Sequence, residues 1–274
     1  MDVKEAKSLA EGLFDVVLTA ARLEMSHFGP GVAVESKADL SPVTIADRAA
    51  EDIILRGLQR LAPGIPVVAE EAVSSGRLPA ASDRFFLVDP LDGTKGFIKG
   101  KPEFTINIAL IEQAQPTFGI IYAPALADFY LTLGPSHAVN AKFAPQTSAR
   151  FLSEVELQPI RSRLANPRAL VALTSQFHPS RATEAFLKRY QVVEQRALAS
   201  SLKFAFLAKG VADLYPRTGE TSEWDTAAGH ALLVAAGGSV TTLAGGPLIY
   251  GKASSHYINP NFVAWGRDPL PAAP

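Results

Sequence analysis

The chain has 274 residues, 47% hydrophobic and 19% charged, enough for one large globular domain or two smaller ones with a sizeable core. With 26 Lys and Arg against 27 Asp and Glu, the formal net charge is -1, so no global field would hold a nucleic acid polymer or an anionic membrane, and an anionic ligand must be gripped locally. The absence of cysteine excludes disulfides, thiolate metal sites and a cysteine nucleophile, leaving oxygen and imidazole donors.

The opening MDVKEAKSLAEGLFDVVLTAARLEMSHF mixes charges and places Leu9, Leu13, Val16, Val17, Ala20 and Leu23 at helical spacing. This predicts an amphipathic helix of a folded domain and not a signal peptide, and no run approaches the ~18 apolar residues of a membrane span. A cytoplasmic protein is expected, with peripheral attachment at the inner membrane left open. The polar SKADLSPVTIAD leads into a helix over 44–61, opened by Thr44 and Asp47 at capping-box spacing. Ile54, Leu58 and Leu61 supply its buried face, and Pro63-Gly64 ends it.

Strand-like runs follow at 67–69, 85–88, 105–111, 118–122 and 129–133. With little helix between them they predict hairpins in an antiparallel or mixed sheet. The loop-rich segment 134–168 carries the candidate boundary between an N-terminal half, 1–145, and a C-terminal half, 146–274. Beyond it, strands at 169–173, 192–196, 212–215 and 239–243 alternate with helices at 178–190, 201–209 and 224–236. The class is α/β, in two layered halves.

Acidic residues recur at element ends: Glu70-Glu71 after one strand, Asp89 and Asp92 after the strand at 85–88, and Asp225 at the start of a helix. If they converge, their charges repel, and hard divalent cations such as Mg²⁺ would neutralise them. Within DPLDGT, Pro90 fixes φ and helps aim Asp89 and Asp92 on either side of the Leu91 carbonyl. Gly93 permits close backbone approach to a ligand, and the Thr94 hydroxyl is placed to orient a water. Simpler readings exist for each residue. Asp92 can cap a turn, Glu70-Glu71 can edge a strand, and Asp47 and Asp225 can cap helices. Lys37 and Lys203 read singly as solvated, and His178 as a helix-start residue. The hexapeptide alone divides about evenly between turn and site.

Taken together, VVAEE, FFLVDPLDGTKGFIKGKPEFTINIALIE, GIIYAPAL and EWDTAAGHALLVAAGG resemble the signature blocks of the inositol monophosphatase superfamily of metal-dependent, lithium-sensitive phosphatases. The SLKF run, LYPRTGETSEWDTAAGHA and PLIYGKASSHYINPNFVAWG are more similar to its 3'(2'),5'-bisphosphate nucleotidase branch of the CysQ type. Gly96 departs from that branch, which often has Glu there. The resemblance implies a five-layered αβαβα sugar-phosphatase fold with two mixed or antiparallel sheets. It implies two or three Mg²⁺ ions held by Glu70, Asp89, the Leu91 carbonyl, Asp92 and Asp225. Asp47 and Thr94 match the pair that activates the attacking water, with Glu70 also among the catalytic residues.

Leu91, Asp92, Gly93 and Thr94 match the phosphate-binding segment. Asp225, Ser175, His178, Lys203 and Arg217 match positions facing the rest of the substrate. The implied reaction is Mg²⁺-dependent hydrolysis of 3'-phosphoadenosine 5'-phosphate to AMP and phosphate by direct attack of a metal-activated water, a step in sulfur assimilation or nucleotide clearance. An inositol or sugar-phosphate phosphatase is the nearest rival, and a non-catalytic Mg²⁺-dependent phospholigand-binding protein is the rival of another class. A small-molecule phosphate ester is the expected partner, and homodimers are common in the superfamily.

Overall fold

The computed structural model describes residues 1–31, 34–36, 42–80, 82–177 and 180–271. Helix α1 (Val3–His27) is capped by Asp2, whose carboxylate accepts the Glu5 N–H at 2.8 Å. A short antiparallel pair, β1 (Val34–Ser36) and β2 (Pro42–Thr44), delivers the chain to α2 (Ile45–Leu61). Thr44 therefore ends a strand and caps a helix at once.

Seven strands form the first sheet: β3 (Val67–Ala69), β4 (Arg84–Asp92), β5 (Thr105–Glu112), β6 (Gln115–Ala123), β7 (Asp128–Thr132), β8 (Ala138–Lys142) and β9 (Gln158–Ile160), side by side in that order. Only β3 and β4 run parallel; the other neighbours are antiparallel. Alternation along the strands sends Phe86, Val88, Ile106, Ile108 and Leu110 into a core with α1 and α2. Phe85, Leu87, Ala109 and Ile111 face the opposite core, shared with α6 (Leu202–Ala208) and α7 (Glu223–Ala235). A sheet covered on both faces needs apolar residues at every position, which explains the runs FFLV and INIALI.

The second sheet has five strands in the order β11-β10-β12-β14-β13, where β10 is Leu170–Ser175, β11 Val192–Leu198, β12 Leu214–Arg217, β13 Ser239–Thr242 and β14 Phe262–Trp265. Its β10 pairs parallel to both neighbours, while β14 is antiparallel to β12 and β13. Val171, Leu173, Tyr215 and Phe262 pack toward α6 and α7. Leu170, Ala172, Leu214 and Trp265 pack with Phe186 and Leu187 of α5 (Arg181–Leu187) on the outer face. The layers are helix, sheet, helix, sheet, helix, as the resemblance implies. Two glycines seat the central layer. A Cβ on Gly119 of β6 would lie 2.4 Å from the Ala228 carbonyl oxygen of α7, and one on Gly229 would lie 2.5 Å from the Phe204 ring of α6. Bare backbone at both positions lets α7 wedge between sheet and helix and fixes where its first turn begins.

Several elements differ from expectation. The strand predicted at 85–88 continues to Asp92, because the ladder to β5 skips Pro90 and Leu91 as a bulge and resumes at Asp92 opposite Thr105. Asp89 is thus inside a strand, paired with Asn107, and not beyond its end. The helix predicted over 178–190 is shorter: Ser180 accepts the Ala182 N–H and opens α5, and the chain leaves the helix after Leu187. The loop-rich segment 134–168 contains β8 and β9, the latter with Pro159 on an edge strand, so the first sheet reaches Ile160. The strand β14 within PNFVAWG was not anticipated. No described helix is long and apolar enough to cross a membrane.

Candidate active site

The bulge in β4 creates the centre of the site. Pro90 has no N–H to leave unpaired, and the Leu91 N–H turns back to Asp89 Oδ1 at 3.0 Å. The Leu91 carbonyl accepts the Thr94 hydroxyl at 3.2 Å. Gly93 follows with φ 103°, a left-handed conformation that favours glycine, and so lets Thr94 open the short helix α4 (Thr94–Ile98). Thr94 also donates its hydroxyl to Asp47 Oδ1 at 2.9 Å. The other Asp47 oxygen accepts the Thr44 N–H at 2.8 Å and the Thr44 hydroxyl at 2.6 Å. The capping box and the bond from Thr94 are therefore both present, one on each carboxylate oxygen.

Glu70 begins α3 (Glu70–Ser74) directly after β3. Asp225 lies in the first turn of α7, where Oδ2 accepts the Ser222 N–H at 2.8 Å. Glu70, Asp89, Leu91, Asp92, Gly93, Thr94, Ser175, Lys203, Arg217 and Asp225 all line one cleft of about 510 Å³. Asp47 reaches it through Thr94. His178 and Lys37 lie outside the described residues. Sequence reasoning missed Phe177, a half-buried ring on the cleft wall with the Lys99 ammonium 6.0 Å from its centroid. An apolar residue just past a strand carries no sequence signal for such a place. A Cβ on Gly96 would lie 3.4 Å from this ring and 3.5 Å from Lys101 Cβ, ordinary contact distances, so Gly96 lies beside Phe177 in the fold.

Burial first, then the charges of Glu70, Asp92 and Asp225, raise the Asp89 carboxyl well above the ordinary range. Burial likewise raises Asp225, with Asp92 and Glu70 adding to it. Asp92 is pushed up to about 6 by burial, against the pull of Lys203. Lys203, 5% exposed, is pulled down to about 8 by burial and donates to the Leu198 carbonyl at 3.2 Å and the Ser200 carbonyl at 2.5 Å. Arg217 donates to the carbonyls of Gly219 and Glu220 at 3.2 and 2.8 Å. The carboxylates of Glu70, Asp89, Asp92 and Asp225 with the bulged Leu91 carbonyl are a hard-oxygen donor set with surplus negative charge, and that set fits Mg²⁺. Among the described residues no three His, Asp or Glu side chains close into a metal cage by themselves. An ion here would complete its shell with water or phosphate oxygens, as Mg²⁺ usually does.

Behind the site, Glu24 of α1 is fully buried, and neither carboxyl oxygen has a hydrogen-bond partner among the described residues. Burial, then the nearby Asp47 charge, pushes its pKa well above the usual 4.5. A raised folded pKa favours the fold only at pH below the unfolded value and loses that contribution as pH climbs through the folded one, so this carboxyl costs stability at neutral and alkaline pH. Glu24→Leu is expected to raise Tm, more at pH 8 than at pH 5, by relieving about 1–3 kcal/mol of unpaired polar burial. Scanning calorimetry of both proteins at the two pH values measures it.

The sequence profile of the Inositol monophosphatase family matches residues 5–267. The chain belongs to that family. Mg²⁺ dependence is general among its members. Among curated proteins, the chain is 41% identical to the 3'(2'),5'-bisphosphate nucleotidase CysQ of Escherichia coli strain K12, over 84% of this chain and 87% of that protein. It is 37% identical to the protein of the same name from Buchnera aphidicola, over 85% and 83%. Among solved structures it superposes on CysQ from Bacteroides thetaiotaomicron with a TM-score of 0.78 at 34% identity, covering 96% of this chain and 98% of that one. The Thermotoga maritima IMPase gives 0.71 at 27%, covering 92% and 89%.

Proposed function

We propose that this family member is a Mg²⁺-dependent 3'(2'),5'-bisphosphate nucleotidase that hydrolyses 3'-phosphoadenosine 5'-phosphate to AMP and phosphate. The observation that carries this reading is the composition of one cleft: an acidic floor of Glu70, Asp89, Asp92 and Asp225, and a wall bearing Phe177, Lys203 and Arg217. Curated relatives over most of the chain's length carry the same activity in their names. An inositol ring offers only hydroxyls, whereas a nucleotide needs an apolar face for its base and a cationic grip for its second phosphate.

Glu70, Asp89, the Leu91 carbonyl, Asp92 and Asp225 would hold two or three Mg²⁺. When bound, these ions lower the pKa of water, screen the phosphoryl oxygens and steady the leaving oxygen. The chain's own residues supply position and proton transfer. Gly93, whose left-handed backbone keeps a side chain out of the way, brings the peptide close to the phosphate. Thr94 accepts a hydrogen bond from the attacking water and passes its own hydroxyl proton toward Asp47 Oδ1. Asp47 is fixed by two bonds from Thr44, and burial raises its affinity for that proton. The water oxygen forms the new P–O bond as the bond to the ribose 3'-oxygen breaks, and that oxygen leaves with a proton from solvent in the cleft.

Phe177 gives a direct check. Base–aromatic stacking is worth roughly 1–3 kcal/mol by alanine substitution. Phe177→Ala is therefore expected to lower kcat/KM for the bisphosphate by roughly 5- to 150-fold while leaving inositol 1-phosphate hydrolysis within about twofold, as measured by phosphate release on both. Equal losses on both substrates would remove Phe177 from base recognition.

A further inference from the structure

Helix α2 carries two buried carboxylates one turn apart, Asp47 and Glu51, each 2% exposed. Thr44 and Thr94 account for Asp47. Glu51 touches neither the cleft nor a cation within it; its Oε2 instead accepts the Glu71 N–H at 2.7 Å. The Ala72 N–H also bears on this carboxylate. Both amides belong to the first turn of α3, and first-turn amides have no partner within their own helix. The N-cap of α3 is Ala69, which is fully buried and offers no side-chain acceptor. Glu51 supplies from the neighbouring helix the cap that the local sequence lacks.

The first residue of α3 is Glu70, which lines the cleft with Asp89 and Asp92 and shares a side-chain hydrogen bond with Asp89. We infer that Glu51 is a positioning residue: it pins the start of α3 so that Glu70 stands in register with Asp89, Asp92 and Asp225, and so sets the cleft's affinity for Mg²⁺. This rests on the Mg²⁺-dependent reading of the site. One face of α2 then anchors two parts of the chemistry, with Asp47 holding Thr94 and Glu51 holding the peptides that follow Glu70. Groups that orient ligands from behind are typically worth 10–100-fold in metal affinity.

The test follows the rise in Tm with Mg²⁺ alone, without substrate, for wild type, Glu51→Gln and Glu51→Asp. Gln keeps an acceptor at the same reach and loses the charge; Asp keeps the charge and is one methylene shorter. The Mg²⁺ concentration giving half the rise is expected to stay within about threefold of wild type in Glu51→Gln and to increase about tenfold or more in Glu51→Asp. In phosphate-release assays, Glu51→Asp should raise the Mg²⁺ requirement with little change in substrate KM at saturating Mg²⁺. A wild-type response in Glu51→Asp, or a loss in Glu51→Gln as large as in Glu51→Asp, overturns the inference, the second because it would make charge and not reach the cause. A wild-type Tm indifferent to Mg²⁺ overturns the metal reading and this inference together, whereas a responsive wild type with unchanged variants sinks only the role of Glu51.

Discussion

Asp92→Asn is expected to lower kcat by about 10³-fold or more at saturating Mg²⁺ while the fold survives. The amide has nearly the shape of the carboxylate, so packing at the end of β4 and the pairing with Thr105 are kept. What disappears is one of the acidic groups of the cleft, where burial and Glu70 already push Asp92 up to about 6 against the pull of Lys203. Removing a charge from a mutually repelling set relieves the metal-free protein, and its Tm should hold or rise. Activity and stability thus move in opposite directions, a pattern that simple misfolding does not produce. Near-normal turnover at saturating Mg²⁺ would show that Asp92 only shapes the bulge.

The second large effect concerns Asp47 and Thr94. Asp47→Asn and Thr94→Ala are each expected to lower kcat by roughly 10²–10⁴-fold, the usual contribution of a positioned general base. They act through the single bond from the Thr94 hydroxyl to Asp47 Oδ1, so the double variant should be little worse than the poorer single one. Multiplying losses in that cycle would mean that the two residues serve separate steps. KM should change little in either variant, because neither side chain is asked to grip the distal part of the substrate.

Much of this was legible in the sequence because periodicity and punctuation agree there. The hairpins of the first sheet follow from apolar runs such as INIALI, and α2 from Thr44 and Asp47. The segments β8 and β9 were not, because AVNAK is buried through small residues and pairing and QPI carries a proline, so neither has a strong strand pattern. The acidic residues expected to converge do line one cleft, but for a local reason the sequence does not show. Asp89 and Asp92 are brought to one side by a bulge inside a strand, and a bulge depends on which partner strand it skips against. Spacing alone gave Asp47 only a capping role, and its pairing with Thr94 came from the family resemblance, since their bond joins residues 47 positions apart. Phe177 and Glu51 were silent for the same reason: one gains meaning from its place beside Gly96, the other from a helix start 20 residues away.

The central claim is that an acidic Mg²⁺ site and a nucleotide-sized wall share one cleft. Phosphate release from 3'-phosphoadenosine 5'-phosphate and from inositol 1-phosphate, measured side by side with and without Mg²⁺, tests it most directly. The expected result is release that requires Mg²⁺, with kcat/KM for the bisphosphate about tenfold or more above that for inositol 1-phosphate. Equal or faster hydrolysis of inositol 1-phosphate, or release that persists without Mg²⁺, would contradict it.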